Sequence, residues 1–333
     1  DFLVKHPASA EVLSDEGLCS QHPAAAEQFE RLKAAVGASY EAGRWLASAD
    51  PAAADALKVG YRRELLVIAA RDLAGNAELD TTALALSTLA DAVVEAALAI
   101  AWRETNPGEP VARLAVIAMG KCGGQELNYI SDVDVVFVAE PHTPDAGADY
   151  LSEATKVASR LIAICEIPTA EGSIWELDPA LRPEGKAGAL VRSLEGYSAY
   201  YERWAETWEF QALLKARAMA GAADLGAKFV ETLTPHVWQA AARPNFVADV
   251  QAMRQRVVAN IPEREREREL KLGVGGLRDI EFAVQLLQLV HGRTDAMVRS
   301  ANTLQALESL ASWGYVGRED AALMSEVYRF ERT

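Results

Sequence analysis

The chain has 333 residues, half of them apolar, with 33 Lys and Arg against 48 Asp and Glu and a formal net charge of −15. That length supports more than one core, and the acidic balance excludes a protein whose main task is to coat nucleic acid or anionic lipid, which requires a dense basic surface. Three cysteines (Cys19, Cys122, Cys165) and five scattered histidines provide no disulfide framework, no CxxC knuckle and no HxxxH metal pair.

Residues 1–110 read as a helical region. Asp50 before Pro51 is an N-cap followed by proline at the first helical position. LKVGYRRELLVIAARDLAG then places Leu65, Leu66, Ala69 and Leu73 along one stripe and closes on Gly75. A second long helix covers TTALALSTLADAVVEAALAIAWRE. Its most apolar run, residues 90–102, is interrupted by Asp91 and Glu95 and is too short for a membrane span. Without a signal-peptide pattern, the expected setting is cytoplasmic, with no membrane. TNPGEP (105–110) punctuates the chain.

The period then changes. RLAVIAM (113–119), VDVVFVA (133–139) and SIWELD (173–178) read as short buried strands, with a helix over residues 150–166 between the last two. From about residue 195 the pattern is helical again, and EREREREL (263–270) reads as a solvated helix face. The expected fold is therefore α+β and predominantly helical. A small mixed sheet at 111–194 lies between helical regions at 1–110 and 195–333. The chain starts at Asp1 without methionine and stops at Thr333 inside the amphipathic pattern VYRFERT, so part of a longer polypeptide is expected.

MGKCGGQELNYISDVDVVF (119–137) is the most informative stretch. Gly120, Gly123 and Gly124 in a turn after a strand let backbone N–H groups approach a phosphate. The spacing is neither GxGxxG nor GxxxxGK[ST], so Rossmann and P-loop assignments fail. Asp132 and Asp134 alternate with Val133 and Val135, which puts both carboxylates on one strand face and both valines in the core. Adjacent carboxylates resist ionisation unless a cation sits between them. Two oxygen ligands plus substrate phosphates are what Mg²⁺ prefers. The pattern points to metal-assisted phosphoryl or nucleotidyl transfer.

A glycine turn followed by Asp-h-Asp-h (h apolar) resembles the nucleotidyltransferase superfamily that includes DNA polymerase β. The turn here has Gly120-Lys121 where that superfamily usually has Gly-Ser or Gly-Gly. The longer string GKxGGxELNxxSDxDxxF is similar to the bifunctional glutamine synthetase adenylyltransferase/adenylyl-removing family. WELDPALRPEGKAGALV (175–191), TWEFQALLKARAMAG (207–221) and KLGVGGLRDIEFAVQ (271–285) resemble further blocks of it. Arg278 in GGLRDIEF leans towards the amino-terminal, adenylyl-removing half, whereas TWEFQALLKAR looks as much like the attaching half.

The resemblance implies a nucleotidyltransferase-type sheet with a third carboxylate, Asp178. It implies Mg²⁺, with Mn²⁺ as the alternative, held by Asp132, Asp134 and Asp178. Nucleotide and inorganic phosphate are the implied substrates, and the reaction is phosphorolysis of adenylyl-tyrosine to ADP and free tyrosine. Gly120, Gly123, Gly124 and Ser131 are candidates for nucleotide phosphates, and Arg182, Lys186, Lys215 and Arg217 for phosphate. Implied partners are glutamine synthetase, a PII-type signal protein and a second, adenylylating half of the same polypeptide; no nucleic acid is expected. The alternatives are the adenylylating head itself, or a catalytically silent docking module. Trp204 and Trp208 are expected in a core, and Cys122 is not expected to be reactive.

Overall fold

Thirteen α-helices are found among the described residues, and apolar β-branched runs build the two long central strands. In chain order the helices are α1 (Phe2–Lys5), α2 (Ala25–Ala35), α3 (Ala53–Leu73), α4 (Leu79–Thr105), α5 (Gly120–Gly123), α6 (Asp149–Glu166), α7 (Leu194–Arg203), α8 (Thr207–Leu213), α9 (Ala223–Gln239), α10 (Phe246–Ala259), α11 (Leu277–His291), α12 (Thr303–Ser312) and α13 (Arg318–Arg332). The strands are β1 (Ser39–Glu41), β2 (Arg44–Leu46), β3 (Ala112–Ala118), β4 (Val133–Pro141), β5 (Leu177–Asp178), β6 (Val191–Ser193) and β7 (Arg217–Gly221). The computed structural model describes residues 2–14, 17, 24–145, 147, 149–266 and 268–332. Cys19 and Thr333 lie outside them, as does Glu267 within the EREREREL run.

The chain forms two units, Asp1–Tyr197 with Arg217–Val230, and Ser198–Ala216 with Glu231–Thr333. In the first, the spine is α4. Its 27 residues have the length and apolarity of a membrane span, yet 83% of the most apolar window is buried. It packs against α2, α3, α6 and β7, so its apolarity serves a core that surrounds it.

The sheet runs β5-β4-β3-β7, with β6 also pairing with β4. β3 is antiparallel to both β4 and β7, and β5 and β6 are parallel to β4. Val133, Val135, Phe137 and Ala139 enter the core shared with α4 and α6. The strand's two-residue period therefore turns Asp134 to the other face. On that face Tyr197 donates its hydroxyl to the Phe137 carbonyl (3.1 Å) and stacks edge-on against Phe229.

Several sequence expectations shift. The region after residue 195 is not wholly helical, because RAMAG at 217–221 is β7. Its alanines carry little strand signal, and pairing with β3 inside the core decides the conformation. SIWELD contributes only Leu177–Asp178 to the sheet. A hairpin, β1–β2, interrupts the first helical region.

Helix α3 starts at Ala53, after a turn in which Asp50 Oδ1 accepts the Ala52 N–H (2.9 Å). Its buried row is Leu57, Tyr61, Glu64, Ile68 and Arg71, and Leu73 is 89% exposed. Glu64 can be buried because Arg31 donates to both its oxygens (2.7 and 2.9 Å); charged members of the inward row masked it in the sequence. The expected end holds: Gly75 is left-handed (φ 72°) and Asn76 N–H reaches the Arg71 carbonyl.

The second unit has its own core, formed by Leu277, Ile280 and Val284 of α11, Leu307 and Leu310 of α12, and Tyr328 of α13. Asp279 at the start of α11 accepts from Arg254 Nε (2.5 Å) and from the Gly275 N–H (2.6 Å). Buried Glu281 accepts from Arg278 (2.9 Å). Trp204 is 74% exposed rather than in the core, and it lies just past the last residue of α7. Trp208 is half-buried.

Candidate active site

The glycine segment closes as a single helical turn, α5, at the end of β3. Gly120 is left-handed (φ 51°), and a Cβ there would lie 2.0 Å from Asp134 Oδ2. Only glycine therefore lets the turn approach the carboxylate this closely. Met119 N–H also donates to the Asp134 carbonyl (2.8 Å), fixing turn to strand. Gly123 and Gly124 differ from expectation: their N–H groups donate to the carbonyls of Met119 (2.7 Å) and Gly120 (3.1 Å). The turn winds helically, so its closing amides are consumed within it. Ser131 is half-buried beside Asp132.

Asp134 and Asp178 are direct register partners in the parallel β4–β5 pairing, and Asp132 lies two residues before Asp134. One oxygen from each of the three carboxylates falls within 4.8 Å of the others. Two ligands of one Mg²⁺ can be at most ~4.2 Å apart at bond lengths of ~2.1 Å. The trio therefore fits one ion after slight side-chain rotation, or two ions ~4 Å apart sharing the site. Asp132 is exposed and the other two are half-buried, leaving room for water and substrate oxygens. Asp178 also accepts the Ala180 N–H (2.9 Å), which anchors the loop that follows it.

The four candidate cations have different fates. Arg182 is 8% exposed and donates to three carbonyls of its own loop: Pro179 (2.8 Å), Lys186 (3.1 Å) and Gly188 (3.1 Å). These bonds hold a segment in which Glu184 and Gly185 are both left-handed. Arg217 makes a two-pronged pair with Asp91 of α4 (2.6 and 2.9 Å) and donates to the Cys122 carbonyl (3.1 Å). Lys215 belongs to the second unit, where its buried Nζ donates to Thr303 Oγ1 (3.0 Å). Lys186 is exposed. In the sequence nothing distinguishes these cations, because the partners of Arg182, Arg217 and Lys215 are loop carbonyls, a carboxylate 126 residues away and a hydroxyl 88 residues away.

Asp91 is the residue that sequence reasoning missed, since in the sequence it only interrupts an apolar run. Burial pushes its carboxyl up to about 6, with Arg217 opposing the shift. A charge inside so apolar a helix was the available signal. Cys122 is buried, and burial pushes its thiol well up, so it stays protonated as expected.

A cavity of about 430 Å³ opens between the β1–β2 hairpin, α4 and the beginning of β3, lined by Arg44, Trp45, Glu95, Trp102 and Arg113 among others. It lies at the opposite end of β3 from the carboxylates and takes no part in that site.

A protein-family profile described as Glutamate-ammonia ligase adenylyltransferase matches residues 1–232, which contain the whole carboxylate and glycine-turn assembly. The chain belongs to that family. A second profile, GlnD PII-uridylyltransferase, matches residues 251–333. Among curated relatives, a bifunctional glutamine synthetase adenylyltransferase/adenylyl-removing enzyme of Streptomyces avermitilis is 55% identical over 333 residues, covering all of this chain and 32% of the relative. The enzyme of the same description from Streptomyces coelicolor is 59% identical over 280 residues, 83% of this chain and 28% of the relative. That from Mycolicibacterium smegmatis is 49% identical over 338 residues, all of this chain and 32% of the relative. The chain thus spans about a third of the length of these relatives.

Proposed function

We propose that this chain is the adenylyl-removing half of a bifunctional enzyme acting on glutamine synthetase, with the adenylylating half elsewhere in the same polypeptide. The convergence of Asp132, Asp134 and Asp178 against a glycine turn packed on Asp134 supports metal-assisted nucleotidyl transfer, which both halves share, and Arg278 is the observation that carries removal. The family membership supports nucleotidyl transfer as the chemistry.

In this reading an oxygen of inorganic phosphate attacks the phosphorus of adenylyl-tyrosine. The bond from phosphorus to the tyrosine oxygen breaks, the phenolate takes a proton, and ADP and tyrosine leave. Mg²⁺ or Mn²⁺ bound by the three aspartates would screen the two phosphates and orient attacker and leaving group. Ser131 and the opening amide of the turn at Gly120 hold the nucleotide phosphates, and exposed Lys186, in the loop that follows Asp178, offers the attacking phosphate a cation. The phenolate, with an ordinary pKa near ~10, leaves with less assistance than an alkoxide. Arg278 in GGLRDIEF favours removal over attachment. The likeness of residues 251–333 to a PII-uridylyltransferase profile supports a PII-type protein as the regulator.

The test is paired. With adenylylated glutamine synthetase, Mg²⁺ and phosphate, the chain should release ADP. With unmodified glutamine synthetase and labelled ATP it should transfer no label. Label transfer without ADP release would assign the attaching activity instead, and neither product would leave a docking module.

A further inference from the structure

We infer that Arg217 is a positioning residue: clamped by Asp91, it sets the glycine turn against Asp134 and so fixes the mouth of the metal-binding carboxylates. The inference rests on the nucleotidyl-transfer reading above and deepens it.

Arg217 opens β7 as the register partner of Ala118, and Ala118 in turn faces Val135 of β4. The arginine therefore sits at the same level of the sheet as Asp134, two strands away. One edge of its guanidinium is filled by Asp91, at 2.6 Å from Nη1 to Oδ2 and 2.9 Å from Nη2 to Oδ1. Nη2 then reaches the Cys122 carbonyl at 3.1 Å. Cys122 belongs to the four-residue turn that Gly120 opens, and at Gly120 there is no room even for a methyl group beside Asp134 Oδ2.

The contacts thus run unbroken from α4 through β7 and the turn to a candidate metal ligand. The geometry suits arginine alone. A planar fork satisfies a carboxylate and a carbonyl together, whereas the single ammonium of lysine is a point charge. A buried ion pair adds little net stability over an apolar replacement, so the consequence of this pair is placement. One turn along α4, Glu95 accepts the Gly221 N–H at the far end of β7 (2.8 Å). The strand is thereby pinned to the same helix at both ends.

The experiment compares Arg217→Lys, Asp91→Asn and wild type by Mn²⁺ titration calorimetry, thermal unfolding and steady-state kinetics with phosphate varied. Residues that hydrogen-bond metal ligands typically alter metal affinity or activity by about 10–100-fold, and Arg217, acting through the glycine turn, belongs at the lower end. Arg217→Lys should weaken Mn²⁺ binding by about tenfold and lower kcat, with the phosphate KM nearly unchanged. Asp91→Asn should move the same quantities in the same direction, by less. A raised phosphate KM with unaltered Mn²⁺ affinity would make Arg217 a phosphate ligand and overturn the inference. Lowered unfolding temperature with unaltered Mn²⁺ affinity would reduce the pair to a structural contact and also overturn it. Because Mn²⁺ affinity is read without turnover, inactivity of the wild type towards adenylylated glutamine synthetase would count against the proposed reaction and leave this test standing.

Discussion

Asp134 and Asp178 are partners across a parallel strand pair, so two carboxylates 44 positions apart in sequence are held side by side by backbone hydrogen bonds. Without a cation they repel, because like charges placed directly opposite destabilise a sheet. Asp134→Asn should therefore raise the unfolding temperature of the chelator-treated protein, by a gain of up to about 1 kcal/mol. The same variant should lose the stabilisation that Mn²⁺ gives the wild type through preferential binding to the folded state. Equal Mn²⁺-induced shifts in the two proteins would remove Asp134 from the ligand set.

Gly120 leads to the second expectation. Alanine there combines a left-handed backbone, costing about 1–2 kcal/mol, with a Cβ placed 2.0 Å from Asp134 Oδ2. Gly120→Ala should lower stability in urea by at least that amount and weaken Mn²⁺ binding as the carboxylate is displaced. Gly75, also left-handed but with nothing within 4 Å of its Cβ position, is the control. Gly75→Ala should cost stability alone.

Arg182 braces its loop through three carbonyls. Arg182→Met should leave those acceptors unpaired and destabilise the fold by about 2 kcal/mol, the scale of hydrogen bonds from a charged donor. Chemical denaturation measures this directly. An unchanged midpoint would show that the guanidinium is not needed as a brace.

Asp91 gives a pH dependence with a definite sign. Its folded carboxyl is raised to about 6, chiefly by burial, from a starting value of 3.8, so between those values the folded state binds more protons than the unfolded one. The contribution of Asp91 to stability is therefore most favourable below pH 4 and declines as pH rises through 6. The change over that window is on the order of 3 kcal/mol. Asp91→Asn lacks the titration. The stability of wild type relative to this variant should fall between pH 4 and pH 7, as followed by urea denaturation across that range. A difference that stays flat would contradict the raised carboxyl.

Cys122 and Cys165 are both buried, and burial pushes the Cys165 thiol up to about 12. Neither should react with a thiol reagent at pH 8 in the native protein, and both should react in urea. Peptide mapping of the labelled sites distinguishes them from Cys19. Rapid native labelling of Cys122 would show that the glycine turn opens.

Much of the site was legible because its determinants are local. The alternation of Asp132, Val133, Asp134 and Val135 assigns a face to each side chain whatever the strand pairs with, and the positions of β3, β4 and α6 follow from runs long enough to show their period. The likeness of the glycine and carboxylate string to a known family supplied Asp178, which no spacing in the chain would have joined to Asp132 and Asp134. RAMAG and LD were too short and too plain in composition to declare themselves as strands, and the inward row of α3 was disguised by Glu64 and Arg71.

The sequence by itself determined the long helices α3, α4 and α6, which two apolar runs form the centre of the sheet, and the two-residue spacing of Asp132 and Asp134 at the start of β4, since these depend on periodicity along the chain. Only the tertiary structure decided what the cations do. Arg182, Arg217 and Lys215 each sit in a motif suggestive of phosphate, yet a guanidinium or ammonium is indifferent to whether its acceptor is a ligand oxygen, a carbonyl or a carboxylate. The partner is whichever acceptor the fold brings within reach. For Arg217 that is Asp91, 126 residues away along the chain and one hydrogen bond away in space.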